Sequence, residues 1–458
     1  MGALAKTIYV FAFIVSIIYF LIKLKKRKYI FSVFNISCLI YLFSFMITPV
    51  FYNESQAWYA LGVTNHKIYY EYLDKCVVIN GVGLILTYLT TGYIEFYSNI
   101  GKVKTVQKYS SFLKEENLNL FFPIVVIGWY ALVLIFNKGL PIFNHNRTFF
   151  LHQSFSIFYL LLNELLLVYA IYYGVLCIYS EKRLKNCLKW LICIITLFFT
   201  GNRGSVLIGS IVPIFILLIY EYTRKKQLRK IKNETLREKY DESGKWRNKA
   251  FKYIVILLFV IGFIGLVFGA LRYSGIKNLS PIINEMLYGN TFSDIRDGAF
   301  ILKGFETKFN GEPLLGKTYL AGFLSFLPGS VVPFKTEWLY GNFTTVKLFN
   351  WQNHFGLRGG NVFEAYLNFG YFGVVIFAVL QGVLNGYLEK MFYKIFLNKN
   401  SLNKSKSYLI LYIFSILNNF LVCTAAFYLI YFDLIFYMLI SIKLRSSSRR
   451  IADEKICN

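Results

Sequence analysis

Proline, histidine and acidic residues are all scarce in this chain of 458 residues, which holds 8 Pro, 4 His and 24 Asp+Glu. So little proline beside 56% hydrophobic residues excludes a disordered or extended polypeptide. The histidines (His66, His145, His152 and His354) show neither an HExxH pattern nor any paired spacing, so neither a metal nor another cofactor is expected. The 7 cysteines (Cys38, Cys76, Cys177, Cys187, Cys193, Cys423 and Cys457) are scattered, mostly in or beside apolar blocks, and no CxxC occurs. That excludes a disulfide scaffold and leaves them as small hydrophobes. A P-loop is missing too, as is a GxGxxG following a strand pattern, which excludes ATP hydrolysis.

What the chain does have is long apolar blocks. Mean hydropathy is +0.49, and aromatics are abundant, with 46 Phe, 36 Tyr and 6 Trp. Many apolar blocks run to roughly 20 residues, the length that spans about 30 Å of hydrocarbon. The fold class expected is an all-α polytopic membrane protein of about eleven transmembrane helices, within a range of ten to twelve. The expected spans are 7–22, 31–50, 77–97, 118–136, 155–179, 187–200, 204–221, 253–271, 371–389, 407–421 and 424–442. The last pair is crowded, since 407–442 barely holds two crossings. The N-terminus runs straight into an apolar stretch without an A-x-A site, so the first block is expected to be an uncleaved span.

Orientation follows from the 50 basic residues. One alternating set of loops (residues 23–28, 102–114, 182–185, 224–252, 390–406 and the tail from 443) carries 34 of them, and the other set carries 15. The positive-inside rule then places the N-terminus outside and the C-terminus inside. The net charge of +26 is therefore mainly a topology signal, with a secondary attraction to anionic lipid, and no nucleic-acid partner is implied. The whole chain, 1–458, is expected to form one integral membrane domain. Within it, the basic inner loop 222–252 reads as a solvated helix too short for a core of its own.

The outer loop 272–370 is different. Its 99 residues carry nine basic and seven acidic side chains, many aromatics, and the prolines Pro281, Pro313, Pro328 and Pro333. Such a composition predicts an ordered, partly helical structure. Phe292, Ile295, Ala299, Leu302, Phe305 and Phe309 recur at helical spacing, with Thr291 or Ser293 as the cap. Arg296, Lys303 and Thr307 fall on one side of that stripe, predicting an amphipathic helix at the membrane interface with a basic edge. Residues 319–334 are apolar but broken by Gly and Pro, which predicts an interfacial or re-entrant hairpin.

Three clusters carry candidate chemistry. Gly201-Asn202-Arg203-Gly204-Ser205 joins a span of about 14 residues to its successor. The short span predicts a turn recessed below the surface, where an arginine at membrane depth is a functional candidate. Flanking glycines and the helix opening at Ser205 favour an anion, so Asn202, Arg203 and Ser205 are assigned to a phosphate or diphosphate site. The second cluster holds His354 and Arg358 among glycines, followed by Glu364 and Asn368 on one helical face. Arg358 and neighbouring backbone amides are candidates to converge on one anion. Glu364 either acts as a base, orients a sugar hydroxyl, or pairs with Arg358. In the third, Asp294-Ile295-Arg296-Asp297, Arg296 is a further anion ligand and the acids form local pairs. Inside the spans, Glu95, Asn163, Glu164 and Asp433 form no regular chain of acids, and Gly382-xxx-Gly386 reads as helix packing.

The hairpin FFTGNRGSVL (198–207), the large outer loop with LPGSVVP (327–333) and the stretch GGNVFEAYLNFGYFGVVIFAVLQGVLNGYLEK (359–390) together resemble the Wzy family of O-antigen and oligosaccharide repeat-unit polymerases. The layout covers nearly the whole chain, but short Arg-Gly turns also occur in O-antigen ligases. The resemblance implies a GT-C-type glycosyltransferase in the bacterial inner membrane, acting at the periplasmic face. Donor and acceptor would both be oligosaccharides on undecaprenyl diphosphate, with a flippase and a chain-length regulator as partners. Essential arginines of the outer loops carry over to Arg203, and less securely to Arg296 and Arg358. A lipid diphosphate leaving group gains negative charge, which guanidinium groups stabilise. The acceptor hydroxyl needs a base, for which Glu364 and then His354 are the candidates. The competing readings are an O-antigen ligase, a lipid-linked oligosaccharide flippase and a membrane acyltransferase.

Overall fold

The computed structural model describes residues 1–27, 41–98, 115–137, 139–141, 156–179, 183–200, 205–206, 208–210, 212–214, 293–324, 327, 329–351, 356–360 and 362–397. Among them are helices and turns and no strands. The main helices are α1 (Ala3–Arg27), α2 (Tyr70–Phe96), α3 (Glu115–Asn137), α4 (Ser156–Tyr179) and α5 (Arg183–Phe199). They continue with α6 (Asp294–Phe309), α7 (Lys317–Phe323), α8 (Pro333–Trp338) and α9 (Phe363–Leu397). Among the described residues, four helices are long and apolar enough to cross a membrane: Ala3–Arg27, His66–Phe96, Phe158–Cys177 and Phe363–Lys390.

The expected spans 7–22, 77–97, 118–136, 155–179, 187–200 and 371–389 fall on α1, α2, α3, α4, α5 and α9. Those at 31–50 and 204–221 are described only in part. The spans at 253–271, 407–421 and 424–442, and the whole basic loop 222–252, lie outside the described residues.

Two hydrophobic clusters organise the described residues, and they share no side chain. One joins α3, α4 and α5. The other gathers α1, α2 and α9 beneath an assembly built from residues 41–69 and 293–362. No helix pair connecting the two groups packs along its length.

Within the second group, α9 lies against α2 at two glycines. A Cβ on Gly382 would stand 2.6 Å from the Thr90 Cβ, and one on Gly386 would stand 2.7 Å from the Ile94 Cβ. The missing side chains let the backbones approach closely enough for hydrogen bonds between helices. Thr87 donates to the Ala378 carbonyl and Thr91 to the Gly382 carbonyl, both at 3.3 Å. Where lipid removes any hydrophobic drive between helices, such close packing is what holds them. The opposite side of α1 exposes Leu4, Val10, Phe11, Ile14, Ile17 and Leu21, the surface expected of a helix solvated by hydrocarbon.

Charge joins the same three helices at one end. Lys23 is fully buried, with its Nζ 2.8 Å from Glu389 Oε2 and 3.8 Å from Glu95 Oε2. Tyr19 donates to Glu95 Oε2 at 2.9 Å, and Arg27 donates through Nε to Glu95 Oε1 at 3.2 Å. Two acids are thus matched by two bases, as burial of charge demands. Glu95 read as a residue near a span end; its partners on α1 and α9 are distant in sequence.

The helix α9 is broken at Gly370, whose φ of 62° and ψ of −153° are accessible essentially to glycine alone. Carbonyls released by the break are taken up elsewhere: Leu314 N–H donates to Leu367 O and Leu315 N–H to Asn368 O, each at 3.0 Å. Residues 363–369 therefore form a short arm above the apolar helix. Nothing lies within 4 Å of a Cβ placed on Gly370, so alanine there meets only backbone strain. Gly370→Ala is expected to destabilise by about 1–3 kcal/mol, read as a lower melting temperature of detergent-solubilised protein. Wild-type melting would show the break to be unstrained.

The loop assembly packs through aromatics. Trp58 stacks on Tyr69 with centroids 4.9 Å apart, Tyr69 on Phe300 at 5.7 Å, and Phe300 contacts Phe349 at 4.4 Å. This chain of rings fastens α6 to residues 55–69. The expected helix of 292–309 is observed as Asp294–Phe309, but its setting differs from the expectation. Ile295, Arg296, Asp297, Gly298, Ala299, Phe300, Ile301 and Leu302 are all buried, so its first two turns are enclosed on every side. Its first half is packed core, because residues 41–69 cover the face that carries Arg296; of the predicted edge, Lys303 is half-buried and Thr307 exposed.

Candidate functional site

The segment 356–360 runs through the middle of the loop assembly. Asn80 of α2 donates from Nδ2 to Gly359 O at 3.0 Å, and its Oδ1 accepts from the Tyr41 hydroxyl. Gly298 of α6 stands against Gly359 from another side, leaving 3.2 Å between a Cβ there and the Gly359 Cα. Gly360, at φ 95°, passes so close to the Asn80 side chain that a Cβ would collide with it. These glycines serve close packing. The Leu357 amide is also engaged, donating to Thr344 Oγ1 at 3.1 Å.

Arg358 is the side chain this segment turns outward, with 36% of it exposed. Its Nε lies 3.4 Å from Asp294 Oδ1 at the start of α6. Ser44 reaches Asp294 Oδ2 at 3.4 Å. Burial pushes the Asp294 carboxyl above the usual aspartate value, outweighing the opposing pull of Arg358; Asp297 pushes the same way. Of the alternatives for Glu364, the pairing with Arg358 is not seen among the described residues, where Asp294 lies against Arg358.

Glu364 instead belongs to a buried knot with Asn368 and Thr318. Thr318 of α7 donates to Glu364 Oε1 at 2.7 Å. Asn368 Nδ2 donates to Thr318 Oγ1 at 2.6 Å and to Glu364 O at 2.8 Å. The i, i+4 spacing read from the sequence thus puts both residues on one face, and α7 closes over it. Asn368 Oδ1 is buried without a hydrogen-bond partner among the described residues. So is the Tyr340 hydroxyl, and the electrostatic neighbours of Tyr340 include both Glu364 and Asp294.

Arg296 is sealed. It donates from Nε and Nη2 to Asp297 Oδ1 at 2.9 and 2.7 Å, and from Nη1 to Ala57 O at 2.6 Å. Ser293 completes the set by donating to Asp297 Oδ2 at 2.8 Å, so its hydroxyl braces a side chain instead of capping a helix amide. The expectation that the acids around Arg296 form local pairs holds for Asp297. With its donors turned to Asp297 and Ala57, Arg296 fixes the start of α6 and so the position of Asp294.

Asn202, Arg203 and His354 lie outside the described residues. Ser205 belongs with the other cluster. Gly209 meets Leu167 and Ala170, and Gly174 meets Pro213, so the segment from Ser205 runs beside α4 in the same direction. At 1.5 Å per residue its start falls roughly 10 Å below the first residue of α4. The structure therefore groups Arg296, Arg358, Glu364 and Asn368, and sets Ser205 in the α3–α5 cluster.

Asn80, Thr318 and Tyr340 were not legible as site residues. A lone Asn, Thr or Tyr in a Tyr-rich chain carries no local signal, and only long-range packing brings these three together. Among the described residues no three His, Cys, Asp or Glu side chains converge. Comparison with protein-family models, with curated proteins and with solved structures finds no match.

Proposed function

We propose that this chain is a membrane glycosyltransferase that polymerises undecaprenyl-diphosphate-linked oligosaccharide repeat units into O-antigen or a related surface polysaccharide. In this reading it is a GT-C-like protein of about eleven spans in the bacterial inner membrane. Its N-terminus and the loop assembly face the periplasm, and its C-terminus faces the cytoplasm. The observation that carries the reading is Arg358, half exposed at the rim of a loop assembly whose interior holds Glu364, Asn368 and Thr318. A guanidinium beside hydroxyl-binding groups suits a substrate that is part diphosphate and part sugar.

The reaction needs no cytoplasmic energy source, because the bond between the sugar and lipid diphosphate supplies the drive. As that bond breaks, charge grows on the diphosphate oxygens, and arginines fixed beforehand stabilise it. Arg203 and Arg358 are assigned this role, with Asn202 and Ser205 as further ligands near Arg203. Glu364 and His354 are the candidates from the sequence to take the acceptor proton. A flippase would draw support from uncompensated charge inside the helix bundle; among the described residues, Lys23 and Arg27 lie against Glu95 and Glu389.

The test is a gel of surface polysaccharide from cells lacking the protein. The expected result is a ladder collapsed to a single repeat unit on lipid A-core. Loss of every capped species would mean ligation or flipping, and an unchanged ladder would remove the reading altogether. Complementation with Arg203→Ala or Arg358→Ala, each expressed at wild-type level, is expected to cut polymer at least about 100-fold, the scale of losing one transition-state donor.

A further inference from the structure

Asp294 is a carboxylate for which the proposed reaction has so far found no use. We infer that Asp294 is the proton acceptor for the acceptor-sugar hydroxyl, and that its 3.4 Å contact with Arg358 couples this proton transfer to stabilisation of the leaving diphosphate. The inference rests on the polymerase reading and names the base within it.

Position is the first argument. Both carboxylates are buried, but Glu364 already accepts from Thr318, whereas Asp294 Oδ1 has no hydrogen-bond partner among the described residues and lies against the partly exposed Arg358. A substrate hydroxyl beside Arg358 would supply the partner this oxygen lacks. Rigidity is the second. Arg296, Asp297 and Ser293 lock the first turn of α6 to the Ala57 carbonyl, so Asp294 is held by a brace that takes no part in the chemistry. Such pre-fixed geometry is what general-base catalysis requires.

Charge is the third. Before reaction, Asp294 and Arg358 neutralise each other. In the step itself, the hydroxyl proton passes to a carboxylate oxygen of Asp294, and the hydroxyl oxygen forms the new bond to the anomeric carbon. The bond from that carbon to the lipid diphosphate breaks, and its electron pair stays on the diphosphate. Asp294 is now neutral, so its carboxylate no longer competes for Arg358 at the moment negative charge appears on the leaving group. The guanidinium thereby interacts more strongly with the transition state than with the ground state, the condition for raising turnover. The base is restored when the proton passes to water.

Among the described residues, the groups facing Asp294 are Arg358 on the 356–360 segment, Ser44 on the helical turn 41–46, Arg296 and Asp297 on α6, and Tyr340. Burial raises the Asp294 carboxyl above the ordinary range, which brings its proton affinity closer to that useful at neutral pH. Because the base works deprotonated, the rate must rise with pH as Asp294 loses its proton.

The experiment reconstitutes full-length protein in proteoliposomes with purified lipid-linked repeat units and follows chain extension against pH. Wild type is expected to show an acidic limb above the ordinary aspartate range. Asp294→Asn should lower kcat at least about 100-fold with little change in KM and abolish the limb. Asp294→Glu should keep a limb at reduced kcat, and it serves as the informative variant if the asparagine form does not fold. Glu364→Gln tests the rival base: a limb that persists in whatever activity remains leaves Asp294 as the base. An Asp294→Asn or Asp294→Glu profile identical to wild type would overturn the inference, as would loss of the limb in Glu364→Gln alone. If wild type itself extends no chains at any pH, the polymerase reading falls and this inference with it.

Discussion

Lys23→Met is expected to destabilise the protein by about 3–5 kcal/mol, the usual cost of breaking a buried ion pair from one side. The magnitude follows from what remains. Glu389 lies 2.8 Å from the lost ammonium and Glu95 lies 3.8 Å from it, and both side chains are essentially buried. Arg27 still serves Glu95 through Oε1 and the backbone carbonyl, at 3.2 and 2.7 Å, so the loss falls mainly on Glu389, whose base stood 2.8 Å away. The double variant Lys23→Met/Glu389→Met should recover most of the loss, because a matched apolar pair needs no desolvation. Thermal melting of detergent-solubilised protein, followed by the monodisperse fraction on gel filtration, reads both variants. Equal melting of Lys23→Met and wild type would show that the ion cluster does not hold α1, α2 and α9 together.

Arg296→Met is the second substitution with a large expected effect, also about 3–5 kcal/mol. It removes at least the three hydrogen bonds to Asp297 and Ala57 and, among the described residues, leaves the Asp297 carboxylate with Ser293. The start of α6 then loses its tie to the Ala57 carbonyl, and the loop assembly is expected to become sensitive to protease between residues 293 and 324. Stability and any polymerising activity should fall together. Arg296→Met/Asp297→Leu should restore both, since the charge that needed Arg296 is gone. A ligand-binding arginine behaves differently: its loss would spare melting and protease resistance, and the double variant would stay inactive. That outcome would move Arg296 from the brace back to the anion site.

The helices were legible because their signal is local. An apolar block of roughly 20 residues declares a span whatever surrounds it, and α1, α2, α3, α4 and α9 fall where such blocks lie. The same holds for the helix at 294–309 and for Glu364 and Asn368 sharing a face, which are matters of helical period alone. The setting of α6 was not legible. Arg296 beside an apolar stripe reads as a basic edge, and it becomes a core residue only because residues 41–69 pack over it and Asp297 stands next to it. Lys23 was hidden in a similar way: in the run of bases at 23–28 it looks like one more topology charge, yet its ammonium turns inward to two acids.

The sequence by itself determined that this chain is built from membrane-length helices around a long, composed loop, and it drew attention to Arg296, Arg358, Glu364 and Asn368. It could not determine which partner each charge takes. Asp294 with Arg358, Thr318 with Glu364, and Lys23 with Glu95 and Glu389 are pairings between segments far apart in the chain. Hydrophobic period acts over a turn or two of helix, whereas a buried charge is satisfied by whatever the whole packing brings within about 3 Å of it. Only the tertiary structure decides that.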